Sequence, residues 1–133
     1  MAIINTFAKC LESPYLAEDP AAADRVGELL AKAADRIEGA ANLQAAGGDP
    51  GDLVFLCYEA MFCGLRALVY ARGYREMGLR CLMLACEALY VKSGELDAEH
   101  LRRFELAQRL KLPPAEAMEA ASAFSKRVLE LIG

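Results

Sequence analysis

The stretch that decides the fold is residues 53–71, LVFLCYEAMFCGLRALVYA, which contains only two charged side chains, Glu59 and Arg66. A second apolar stretch, residues 79–91, also contains only two charges. Ordinary surface helices carry one apolar stripe, whereas these two stretches are apolar nearly all round and therefore predict buried helices. We expect the chain's own bundle to cover one face of each helix and a second copy to cover the other, because twofold association is the commonest closure.

A membrane span is the alternative for residues 53–71, because an apolar run of this length can cross a bilayer. The run holds two full charges, and no second apolar run of spanning length accompanies it. Charged side chains are costly inside a membrane, so we expect a core helix and no membrane partner.

Composition extends the helical prediction to the whole chain. Alanine (25) and leucine (20) far outnumber valine, isoleucine and threonine, which together supply 10 residues. Straight-chain residues favour helices and β-branched residues favour strands. We therefore predict one all-α domain over residues 1–133, an antiparallel up-and-down bundle of four to five helices after a short N-terminal arm. The predicted N-caps of three of these helices are Asp19, Asp52 and Asp97.

Charge and cysteine content exclude several classes of function. The net charge of −4 gives no electrostatic case for unassisted nucleic-acid binding. The five cysteines are odd in number and form no Cys-x-x-Cys pair, so we expect reduced thiols that pack as small apolar side chains in a cytoplasmic protein. With one histidine, His100, the chain predicts no metal site and no cofactor.

Basic residues cluster where the first apolar helix ends. Residues 66–80 contain four arginines against one glutamate. Such a cluster can hold a phosphate, although it is also typical of a solvated helix C-terminus. A tyrosine on the preceding helix can stack on a base, although tyrosines in bundles also serve as packing residues. The predicted nucleotide-binding residues are Arg66, Arg72, Arg75, Arg80 and Tyr58.

The two charges of the first apolar helix suggest how two copies would meet. Glu59 and Arg66 are seven residues apart, which places them on one helix face about two turns from each other. We expect Glu59 to pair with Arg66 of a second copy across a twofold axis, with Phe62 and Cys63 in the interface. The alternative is that both charges simply reach solvent.

Residues 58–73, YEAMFCGLRALVYARG, resemble the second helix of HEPN domains (higher eukaryotes and prokaryotes nucleotide-binding), in which Tyr-x-Ala-Met-Phe leads into Arg-Ala-Leu and a Lys/Arg-Gly stop. Other segments are similar to the same family in order, so the resemblance covers essentially the whole chain. These segments are residues 7–12 (the arm), 73–76 (the connection to the third helix), 89–94 (the end of that helix) and 115–131 (the closing helix).

The resemblance implies a four- to five-helix bundle that dimerises through its central pair. It also implies a small nucleotidyltransferase as partner, in a toxin–antitoxin-like two-gene module. Some members are ribonucleases with an Arg-x(4–6)-His motif, but the residues five, six and seven positions before His100 are Glu95, Gly94 and Ser93, so this chain lacks the motif. The leading prediction is therefore a non-catalytic dimeric binding module with nucleotide as a candidate ligand.

Two alternatives stay open. The first is a ribonuclease toxin with an atypical site at Arg66, Arg80 and His100, for which His100 is the only candidate proton carrier. The second is a structural or regulatory subunit that binds neither nucleotide nor RNA.

Overall fold

The computed structural model describes residues 3–133 and confirms the all-α class, since helices dominate and the only sheet among these residues has two short strands. In chain order the elements are α1 (Phe7–Leu11), β1 (Leu16–Glu18), a 3-10 helix (Pro20–Arg25), α2 (Val26–Ala45), α3 (Pro50–Ala71), β2 (Tyr74–Glu76), α4 (Leu79–Cys86) continued by a π-helical turn (Glu87–Val91), α5 (Ala98–Gln108) and α6 (Pro114–Ile132).

The apolar helix α3 lies at the centre of the bundle. It runs antiparallel to α2, since Arg36 contacts Glu59 while Gly39 lies beside Leu56 three residues earlier on α3. On another side α6 packs closely at Gly64, where an added Cβ would lie 2.9 Å from a ring carbon of Phe124. The absence of a side chain at Gly64 therefore lets these two helices approach closely.

One chain buries α3 on nearly all sides, so the burial of this helix does not require a second copy, and the homodimer stays a prediction. Twelve of its residues are buried, and the open remainder is a narrow stripe that includes Phe55, Tyr58, Phe62 and Arg66. The expectation assumed that a single bundle covers only one face of a helix. Here α2, α5, α6 and the 3-10 helix all pack around α3.

Asp97 is confirmed as an N-cap, Asp19 caps the 3-10 helix that precedes α2 and not α2 itself, and Asp52 is not the N-cap of α3. The Asp19 side chain accepts from the N–H of Ala21 at the start of the 3-10 helix, and Asp97 caps α5 through the N–H of Glu99. At α3 the cap is Asp49, which accepts from the N–H of Asp52 at 3.1 Å. Proline after Asp49 favours an earlier start, because the missing N–H costs nothing at the first helical position.

A small antiparallel sheet was not predicted from the sequence. Leu16 pairs with Glu76 and Glu18 pairs with Tyr74, so β1 joins the N-terminal arm to the connection between α3 and α4. Phe7 packs edge-on against Tyr74, with ring centroids 5.3 Å apart. Three-residue strands are too short to show an alternation of apolar and polar residues, so the sequence pattern did not predict them.

The cysteines correct the expectation that all five thiols are reduced. Cys10 of the arm and Cys81 of α4 form a disulfide, with Cα atoms 5.7 Å apart. Cys57, Cys63 and Cys86 are free and buried, as expected for small apolar side chains. Composition could not predict the bond, because it depends on the arm folding back onto α4.

Of the helices in residues 3–133, α3 alone is long and apolar enough to span a membrane. Two thirds of its apolar window (67%) is buried inside the bundle. This burial is typical of the core helix of a soluble protein.

Candidate functional site

The open stripe of α3 forms one wall of a cavity, which we call the α3 cleft. Its residues recur at spacings of three and four, so they share one helix face. The cavity has a volume of about 250 Å³ and lies between α2 and α3. Its lining residues are Lys32, Phe55, Tyr58, Glu59, Phe62, Cys63 and Arg66. The structure thus brings together five residues that the sequence predicted as nucleotide or dimer contacts.

Aromatic rings form most of the α3 wall of the cleft. Phe55 is 52% exposed, and its ring lies 6.2 Å from that of Tyr58. Tyr58 stacks on Phe104 of α5 at 5.2 Å and meets Phe62 edge-on at 5.9 Å. Burial raises the pKa of Tyr58, so its phenol stays protonated at neutral pH. The cleft therefore presents fixed, uncharged aromatic faces with one ring reaching solvent.

Arg66 is held in place by two contacts within its own chain. Its guanidinium carbon lies 4.4 Å above the Phe62 ring, and its Nε donates to Glu76 at 3.2 Å. Glu76 is 7% exposed and also accepts from the Tyr70 hydroxyl at 2.6 Å. Burial, followed by the contact with Glu76, raises the pKa of Tyr70 to about 12. Arg66 therefore reaches the cleft as a cation in a fixed orientation.

Glu59 also has a partner within the chain. Its Oε1 lies 3.6 Å from Nε of Arg36 on α2. The proposed pairing of Glu59 with Arg66 of a second copy would therefore compete with Arg36 at one end and Glu76 at the other. Cys63 is buried at the cleft, and this burial raises the pKa of its thiol, so it is protonated and a poor nucleophile at neutral pH.

The remaining predicted phosphate-binding arginines do not gather in the α3 cleft. Arg72 pairs with Glu95 at 3.4 Å, and Arg75 pairs with Asp19 at 3.1 Å. Arg80 donates through Nε to the carbonyl of Ile4 and lines a separate groove between α4 and α5. Each of these arginines contacts a different segment of the chain, so residues that are close in sequence do not form one cluster in the structure.

His100 lies apart from both arginines of the alternative ribonuclease site. Its ring packs against Phe124 at 5.4 Å, whereas Arg66 lines the α3 cleft and Arg80 lines the groove between α4 and α5. Burial is the main cause that lowers the pKa of His100, so the ring is neutral at pH 7. The structure does not bring the three residues into one described cavity.

Lys32 and Phe55 belong to the cleft but were not among the predicted site residues. Phe55 could have been found, because it lies three and four residues before Tyr58 and Glu59 on the same helix face. Lys32 comes from α2 and reaches the cleft only through the packing of α2 on α3, which no local spacing encodes. None of the ion pairs in residues 3–133 includes Lys32, so its charge is available to a ligand.

No family model matches the chain, and no curated protein or solved structure matches it significantly. The resemblance to HEPN domains therefore stays a prediction from the residues quoted above. Within residues 3–133, no three histidine, cysteine or acidic side chains converge as metal ligands.

Proposed function

We propose that the chain is a non-catalytic, HEPN-like binding module and that the α3 cleft holds a mononucleotide. The observation that supports this is that aromatic rings, of which Phe55 is exposed, meet the cations Lys32 and Arg66 around one cavity. A base would stack on Phe55 and Tyr58, and the phosphate would lie between Lys32 and Arg66. Guanidinium–phosphate contacts are strong because they are charge-assisted.

The size of the cleft favours one nucleotide over a strand of RNA. Its volume of about 250 Å³ lies just below the usual range for small-ligand pockets. The net charge of −4 also disfavours a long polyanion, since strand binding depends on an extended basic surface. The ligand we propose is therefore a nucleoside monophosphate or a close analogue.

The protonation states at the cleft support binding without cleavage. Transfer of a proton near neutral pH needs a group that titrates there. Raised pKa values keep Tyr58 and Cys63 protonated, and His100 lies outside the cleft. An RNA-degradation assay on the protein and on His100→Ala tests the ribonuclease alternative, which predicts cleavage that the substitution abolishes.

Calorimetric titration of the purified chain with AMP and with adenosine tests the nucleotide proposal. We expect AMP to bind and adenosine to bind at least about tenfold more weakly, because only AMP places a phosphate beside Lys32 and Arg66. Lys32→Gln should weaken the binding of AMP without changing the binding of adenosine, and Phe55→Ala should weaken the binding of both ligands.

Two exposed residues away from the cleft supply matched controls. Lys111→Gln removes a lysine charge elsewhere, and Met77→Ala truncates a side chain that is 66% exposed. Both should bind AMP like the unchanged protein. Equal binding of AMP and adenosine, or loss of binding in the controls, would contradict the proposal, and no binding at all would favour the structural-subunit alternative.

The partner and compartment are also proposals. A small nucleotidyltransferase, encoded beside this chain in a toxin–antitoxin-like module, should co-purify with it when the two are co-expressed. A cytoplasmic location would make the Cys10–Cys81 disulfide unusual, since disulfides are rare there. Trapping of free thiols in intact cells tests this, because five trapped cysteines indicate a reduced pair and three indicate an intact disulfide.

A further inference from the structure

The α3 cleft has two chemically different ends. The helices α2 and α3 run antiparallel, with Arg36 in contact with Glu59. One turn further along α3, Cys63 therefore lies opposite Lys32. Lys32 and Arg66 share this end of the cleft, whereas Glu59 lines the other end, about 10 Å from Arg66 along the helix axis. A nucleotide whose phosphate lies between Lys32 and Arg66 therefore directs its base towards Glu59.

The carboxylate of Glu59 is free to accept hydrogen bonds from a ligand. Its side chain is 34% exposed, and its contact with Nε of Arg36, at 3.6 Å, is longer than a hydrogen bond. No side-chain hydrogen bond in residues 3–133 includes Glu59. Burial is the largest cause of the raised pKa of Tyr58, after which the charge of Arg66 lowers this pKa and the charge of Glu59 raises it. Both charges therefore act on the phenol in the wall of the cleft.

A carboxylate selects a base by the hydrogen-bond donors on the edge of that base, because the ionised group only accepts. Guanine has two neighbouring donors on its Watson–Crick edge, N1–H and the N2 amino group, which match the two oxygens of one carboxylate. Adenine and cytosine place an unprotonated ring nitrogen beside their amino group, and uracil places a carbonyl oxygen on each side of its N–H. These acceptors would face the negative charge without a proton between them, which lowers affinity.

We propose that the α3 cleft selects guanine nucleotides and that Glu59 determines this specificity. This specificity rests on the proposed nucleotide function and adds the identity of the base. The guanine ring stacks on Phe55 and Tyr58, while its N1–H and its N2 amino group donate to the two oxygens of Glu59. Such a pair of hydrogen bonds is strong because it is bidentate and charge-assisted. The preferred ligand is therefore GMP or a close analogue.

Calorimetric titration with GMP, IMP and AMP tests the specificity, because IMP keeps N1–H but lacks the N2 amino group. We expect GMP to bind at least about tenfold more tightly than AMP, with IMP between them. Glu59→Gln should weaken the binding of GMP by at least about tenfold and strengthen the binding of AMP. The reason is that an amide both accepts a hydrogen bond from the amino group of adenine and donates one to its ring nitrogen.

Two control variants separate recognition of the base from an effect on the fold. Glu130→Gln removes an exposed carboxylate of α6 that does not line the cleft, and it should leave all three affinities unchanged. Arg36→Gln breaks the same ion pair as Glu59→Gln but keeps the carboxylate, so the preference for GMP should remain. If Arg36→Gln abolished the preference, the ion pair would act through the shape of the cleft, and the proposed role of Glu59 would be wrong.

The titrations distinguish a failure of this specificity from a failure of the proposed function. Equal binding of GMP and AMP that Glu59→Gln leaves unchanged would overturn the guanine specificity and leave nucleotide binding intact. Tighter binding of AMP than of GMP would also overturn it. The absence of binding of any nucleotide would contradict the proposed function and the specificity together. Circular dichroism should show that every variant remains folded.

Discussion

Reduction of the bond between Cys10 and Cys81 should destabilise the protein strongly. The two cysteines are 71 residues apart, so the bond restricts a long loop in the unfolded chain. Loop-closure entropy for this length corresponds to about 4 kcal/mol at 25 °C. With an unfolding entropy of about 2.1 cal/mol/K per residue, this loss would lower the Tm by roughly 15 °C.

Urea and thermal unfolding of the oxidised and the reduced protein measure this difference without any substitution. The double variant Cys10→Ala/Cys81→Ala should resemble the reduced protein, and adding reductant should change its stability little. Thiol titration in denaturant should find three reactive cysteines before reduction and five afterwards. Five reactive cysteines in the untreated protein, or equal stability of the two forms, would refute the reasoning.

The remaining predictions concern the core. Gly64→Ala should lower the free energy of unfolding by about 1–3 kcal/mol, because the new Cβ would lie 2.9 Å from a ring carbon of Phe124. Urea unfolding measures this loss of stability, and adding Phe124→Leu should relieve part of it. Tyr70→Phe should lower the free energy of unfolding by about 1–3 kcal/mol in the same assay, because it leaves an oxygen of buried Glu76 without its hydroxyl donor. Burial lowers the pKa of His100 in the folded state. Its neutral ring therefore makes its full contribution to the free energy of unfolding above the unfolded pKa of about 6.5, and this contribution is lost as the pH falls through the folded pKa. The Tm should therefore decrease less between pH 7 and pH 5 in His100→Gln than in the unchanged protein, and an identical decrease would contradict the assignment.

Sequence reasoning predicted the helical class well, because residue preferences and apolar spacing act locally. The near absence of charge in residues 53–71 correctly marked the central helix. Sequence reasoning could not supply the number of helices that pack around that helix, since α5 and α6 come from distant parts of the chain. For that reason the apolar character of residues 53–71 does not by itself require a second copy, and the homodimer stays a prediction.

The candidate site shows the same division between local and long-range information. Tyr58, Glu59, Phe62 and Arg66 were predicted together because one helical face carries them. Their partners were not predictable, since Arg66 meets Glu76 of β2, a strand that the sequence did not predict. Counting arginines along the chain likewise could not reveal that each contacts a different acceptor.

The disulfide also makes a covalent ring of residues 10–81 that contains both α2 and α3. The turn joining those two helices is exposed around Gly47. A protease that cut this turn would leave the two fragments linked through sulfur, so the nicked molecule would keep its full mass until a reductant was added. A cut at this exposed turn is therefore one that the protein can sustain without its two fragments separating.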